Sequence, residues 1–226
     1  MRKKPPAARI QGRQTAALQE KTKARPPENK RRGADFAMEP KAAWDAATLL
    51  SPVPAVLVGC CRANGDAPNL ITVAWAGTIN SHPPMVSISI RPERHSHGLI
   101  METRAFTINM PSTRHARGLD YCGVKSGRDI DKWKEAGFTP EPSSKIRPPI
   151  VAECPLALEC EVRHTLLLGT HTLFLAEVAA VRVAPCLIDA KGGLDMEKAG
   201  LIAFAHGRYY AISRELGHFG WSVKKK

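Results

Sequence analysis

The feature that most limits how this chain can fold is a two-residue rhythm between Asn69 and Pro111. Ile71, Val73, Trp75 and Ile79 alternate with Thr72, Ala74, Ala76 and Thr78, and successive side chains of a strand point to opposite faces. One strand over this stretch would carry bulk on one side and small, partly polar residues on the other. After the Pro83-Pro84 turn the rhythm resumes from Met85 to Arg91, with Val86, Ile88 and Ile90 opposite Ser87 and Ser89. A core wants bulk, so the small faces predict room for something flat against the sheet. The second strand runs into Arg91, Arg94, His95, Ser96 and His97, where a helix over 95–103 is predicted to begin. Helix-start amides beside cationic and hydroxyl side chains make an anion site. The pattern predicts a planar ligand with an anionic tail.

Similar alternation continues along the chain. Residues 53–61 predict a strand, and the turn signal at 63–69 pairs it with the next in a hairpin. Residues 105–110 form another strand. A long hairpin follows, 156–167 with 172–183, turning near Gly169; residues 187–194 hold the Gly192-Gly193 turn, and 202–205 with 209–212 complete the β part. The predicted helices are short: 112–121 behind Ser112 as N-cap, and 129–136 stopped by Gly137. Residues 139–149 are Pro-rich and predict a surface connection. This spacing of strands predicts a mainly β, closed or half-closed antiparallel barrel with short flanking helices. Neither GxGxxG nor a P-loop pattern occurs, so a separate dinucleotide-binding domain has no support.

At 226 residues the chain suits one domain with ample core. Its net charge of +12 is concentrated in residues 1–37, where only Glu20, Glu28 and Asp35 oppose many Lys and Arg. That stretch is rich in Pro, Ala and Gln and predicts a disordered or loosely helical tail, residues 1–40. Three readings compete for it: contact with nucleic acid or an anionic membrane, a targeting peptide, or a segment foreign to the native protein, since Met38 could be a start. Interleaved prolines make nucleic acid the weaker partner. Cys60, Cys61, Cys122, Cys154, Cys160 and Cys186 show no CxxC pair and no metal-ligand spacing with His. A reducing, cytoplasmic compartment is the simplest expectation, with no metal and no membrane span.

From Trp44 to Val223 the chain resembles the flavin reductase-like, FMN-binding split-barrel family, in its flavoredoxin-like branch. The likeness is carried by NLITVAWAGTINSHPPMVSISIRPERHSHG, by DYCGVKSGRDIDKWKEAGF, by LGTHTLFLAEV and by LDMEKAGLIAFAHGRYYAI. It implies an antiparallel Greek-key split β-barrel over 44–223 and a homodimer with FMN at the subunit interface. It also implies hydride transfer from NADH or NADPH to flavin N5, with electrons passing to free flavin, a metal complex or a protein. A flavoredoxin-type FMN carrier without nicotinamide activity is the alternative. Outside that chemistry stand a basic-tail binding protein and a barrel holding haem or another flavin.

The resemblance assigns the FMN phosphate to Arg94 and Ser96, with Arg91 and His95 beside them. The ring floor and rim fall to Thr72, Val73, Ala74 and Trp75, with Ser89 nearby. Trp75 is expected to pack rather than stack on the ring, touching flavin through its backbone. Asn69 has two equal readings, a bond to the pyrimidine edge or a brace for the turn. Ser126, Gly127 and Lys132 become cofactor neighbours, against the plainer reading of a loop and a surface helix capped by Asp129 or Asp131. His171 is the candidate for the nicotinamide side, although Thr170 stands where many relatives carry an acid; a hairpin histidine bonded to backbone is as good a reading. His206 is a second catalytic candidate. Cys122 is expected to be buried and inert.

Overall fold

The computed structural model describes residues 40–223. The basic stretch read above as a tail lies outside the described residues, save Pro40. Residues 40–47 carry neither helix nor strand, and the chain from Thr48 onward forms one unit.

Seven strands make one antiparallel sheet: β2 (Val56–Cys60), β3 (Asn69–Val73), β4 (Ala76–Asn80), β5 (Met85–Ile90), β6 (Ala105–Met110), β9 (Leu156–Leu167) and β10 (Thr172–Val183). Their spatial order is β3-β2-β6-β9-β10-β5-β4, so consecutive strands β3 and β4 lie at opposite edges. A flat sheet of that width would separate those edges by about 29 Å, at about 4.8 Å per strand. Ala74 and Trp75 alone bridge them, and three Cα steps of about 3.8 Å reach only about 11 Å. The sheet must therefore curl into a barrel. Irregular register in the β9–β10 pair, at Leu175/Ala176 and Val178/Ala180, suits that curl, because bulges sharpen strand twist.

This corner corrects the reading of 69–79 as one strand. Ile71 and Val73 enter the barrel core with Val58, Ile88, Phe106 and Phe174, while the corner brings Ala76 to that same core. The small face of Thr72, Ala74, Ala76 and Thr78 is thus broken between two strands. The predicted strand at 53–61 also divides. Val53–Pro54 (β1) pairs with β11 (Ile202–Ala205), which pairs with β12 (Arg208–Ala211). These three form a separate sheet, so 202–212 does not close the barrel.

Outside the barrel a second core gathers Leu57, Leu70, Leu119, Trp133 and Phe138. It lies under α2 (Ala116–Val124) and α3 (Lys132–Ala136). α1 (His95–Thr103) has the bounds the sequence predicts. The helix expected over 112–121 opens instead with a 3-10 turn, Thr113–His115, and Ser112 makes no side-chain cap bond. The helix expected from 129 begins at Lys132, where Asp131 accepts from the N–H groups of Trp133 and Lys134; Gly137 ends it at φ 72°. The Pro-rich connection contains β7 (Pro140–Glu141), paired with β8 (Ile150–Val151). A short helix α4 (Met196–Ala199) precedes β11.

Candidate functional site

The end of β5, the start of α1 and the loop between α2 and α3 enclose a cavity of about 520 Å³. Arg91, Arg94, His95 and Ser96 line it on one side, and Ser126, Gly127 and Lys132 on the other. A smaller cleft of about 190 Å³ follows the barrel corner, bordered by Val73, Ala74, Trp75, Ser89 and His171. Ile71, Arg91 and Arg94 stand in the walls of both, so the two make one groove. Their sizes together fall in the range of about 300–1,000 Å³ usual for ligand pockets.

The groove is strongly cationic. Lys125 and Arg128 join Arg91, Arg94 and Lys132, and Glu93 is the acid among them, 3.7 Å from Arg91. Both partners of that pair are exposed, so it neutralises little. Arg94 Nη1 donates to the Gly123 carbonyl at 3.3 Å, which turns the side chain across the groove mouth. Burial, then the charges of Arg128, Lys132 and Arg62, hold His95 below its ordinary pKa. A proton is resisted there because the surroundings are already positive.

Buried polar groups fix the shape. Ser96 is buried and its hydroxyl accepts from Asn69 Nδ2 at 2.7 Å. Gly127 presses on the same Asn69: a Cβ built there would stand 1.9 Å from Oδ1, so only glycine fits. Asn69 lines neither part of the groove, and its amide braces Ser96 rather than the turn. Lys132 is buried, and its ammonium donates to the carbonyls of Leu70 and Cys122 at 2.8 and 2.7 Å. Burial lowers its pKa.

Thr72 borders the cleft, but its hydroxyl donates to the Leu119 carbonyl and secures α2. Trp75 departs from the packing expected of it. It is 44% exposed, and its ring lies 4.5 Å from that of His171, tilted by 35°. His171 Nδ1 bonds Thr170 Oγ1 at 2.9 Å. Burial, with Arg91 nearby, lowers its pKa. His206 is not brought in; it sits exposed at the β11–β12 turn with φ 45°. Cys122 is buried and its thiol is pushed up to about 11, as befits an unreactive group.

Sequence reasoning missed Lys125, Glu93 and the Trp75–His171 pair. His97, read with the anion site from the sequence, lines neither part of the groove; its Nε2 lies 2.9 Å from Thr172 Oγ1 and ties α1 to the strand that begins beside His171. Only Lys125 had a readable signal, in the basic, Gly-flanked run Lys125–Arg128.

A family model described as "Flavin reductase like domain" matches residues 49–213. The flavoredoxin of Desulfovibrio vulgaris (Miyazaki F) has a similar structure, with TM-score 0.76 and 34% identity, over 81% of this chain and 100% of its own. A flavoredoxin from Methanosarcina acetivorans shares the fold, with TM-score 0.72 and 24% identity over 82% and 100% of the two chains. An uncharacterised protein of Pyrococcus abyssi (strain GE5 / Orsay) is 36% identical over 132 residues, 58% of this chain and 74% of its own.

Proposed function

This chain belongs to the flavin reductase-like domain family, and on that footing we propose that it is an FMN-dependent oxidoreductase using NADH or NADPH. The observation that carries the reading is the joined groove: a cationic, hydroxyl-lined cavity opening into a cleft walled by the barrel corner. The residues suit FMN. Ser96, Ser126 and the first amides of α1, which have no intrahelical acceptor, supply phosphate donors. Gly127 allows the loop backbone to close against the Asn69 brace where a side chain would not fit. When bound, FMN would supply two-electron acceptance from the nicotinamide and release to the acceptor.

The chain's own residues would hold and screen that group. Arg91, Arg94 and Lys132 would balance phosphate charge, Arg by paired donors. Val73 and Ala74, at the corner, would offer backbone to the ring edge. Trp75 and His171 would bound the face on which a nicotinamide could lie, with burial and then Arg91 favouring the neutral form of His171. A homodimer, and a cytoplasmic setting, belong to this reading as proposals.

A second reading, a flavoredoxin-type carrier without nicotinamide activity, is favoured by the 34% identity to a flavoredoxin and by Thr170 in place of an acid. Steady-state oxidation of NADH and NADPH by the FMN-loaded protein, with free flavin as acceptor, separates the two. Turnover with either donor supports the reductase; none with both leaves the carrier.

A further inference from the structure

The groove has a cationic end and a ring end, and a contact that lines neither of them joins the elements that carry them. His97 sits in the first turn of α1, directly after Ser96, and its Nε2 lies 2.9 Å from Thr172 Oγ1. Thr172 is buried and opens β10, one residue after His171, whose ring lies against Trp75. It also pairs with Ile90, one residue before Arg91, so the bond meets the barrel where both groove-lining side chains leave it. The backbone ladder already holds Thr172 between Ile90 and Leu167. What the bond adds is the distance at which α1 stands from the strand. Phe174, in the barrel core, meets the His97 ring edge-on at 5.5 Å and limits its swing. A hydroxyl can donate or accept, so either neutral tautomer of the ring keeps the bond.

We infer that His97 is a positioning residue, which fixes the spacing between the anion end of the groove at α1 and the ring end at Trp75 and His171. The role rests on the flavin reading of the groove. In FMN a ribityl chain of bounded length joins ring and phosphate, so both ends engage together only when the spacing matches. Linked groups gain affinity from sites held at the matching span and lose that gain when the span drifts. A ligand that fills one end alone gains nothing from the spacing, and riboflavin and inorganic phosphate are such ligands.

Calorimetric titration of the flavin-stripped full-length protein with FMN, riboflavin and inorganic phosphate tests it. In His97→Phe, which keeps a ring and removes the bond, we expect FMN to bind about tenfold more weakly, the scale of one lost hydrogen bond, while riboflavin and phosphate stay within about twofold. Thr172→Val removes the same bond from its other end and should give the same pattern, with the double variant no worse than either single one. His97→Gln, whose amide nitrogen stands in for Nε2, should restore most of the FMN affinity. FMN weakened only in step with riboflavin or phosphate, or FMN affinity unchanged in both single variants, overturns the positioning role and leaves the flavin reading standing. Failure of the parent protein to bind either flavin removes the flavin reading instead. In that case phosphate-induced shifts of the His171 ring resonances in NMR, present in the parent and lost in His97→Phe, still support the coupling, and their absence from the parent overturns it.

Discussion

Gly127 packs directly against Asn69 at the edge of the groove. In Gly127→Ala the new methyl drives into Asn69 and loosens the brace behind Ser96. Overpacking of this kind costs about 1–3 kcal/mol. We expect a lower melting temperature together with FMN affinity reduced about tenfold, read by quenching of flavin fluorescence; unchanged affinity would remove Gly127 from the account. Thr72 behaves oppositely. Its hydroxyl is committed to Leu119, so Thr72→Val should lose about 1 kcal/mol of stability in chemical denaturation. A collapse of FMN binding at unchanged stability would restore the hydroxyl to the flavin.

Among the elements, β9 carries a buried acid that the flavin chemistry does not use. Glu159 accepts from the Ser144 and Lys145 amides and the Ser144 hydroxyl at 2.7–3.0 Å, with Arg182 at 3.8 Å. Burial pushes its pKa up, but those bonds and Arg182 outweigh it and hold the carboxyl below its ordinary value. A depressed folded pKa stabilises the fold above the unfolded value, and the benefit is lost as pH falls through the folded one. Stability measured by denaturant at a series of pH values should therefore fall below about pH 4.5. Glu159→Gln should lower it at neutral pH and flatten that slope; an identical slope would exclude Glu159 as its source.

The elements also explain what could be read from sequence. β9 and β10 matched in bounds because each is long, alternating and bounded by turn residues. The corner at Ala74–Trp75 was invisible because large and small residues keep alternating straight through it, while the backbone changes sheet edge beneath them. The division at Ala55 was hidden likewise in a continuous apolar run. At the site, Arg91, Arg94, His95 and Ser96 were legible because a strand end meets a helix start within a few residues. The Trp75–His171 stack and the His97–Thr172 tie join distant segments, and only the barrel's closure brings them together.

For the whole molecule, the claim that organises the rest is that one groove takes a flat ring at the barrel corner and a phosphate at the start of α1. If charge holds the phosphate end, raising salt from about 0.1 M to 1 M, which shortens the screening length from about 10 to 3 Å, should weaken FMN while leaving an uncharged flavin nearly unaffected. The most direct measurement compares FMN with riboflavin, which carries the same ring and no phosphate, on parent protein and Arg94→Ala. Charge-assisted hydrogen bonds contribute about 1.5–3 kcal/mol each, so the account predicts FMN bound about a hundredfold tighter than riboflavin, with most of that margin gone in Arg94→Ala. Equal affinity for the two flavins on the parent protein, or no binding of either, would contradict it.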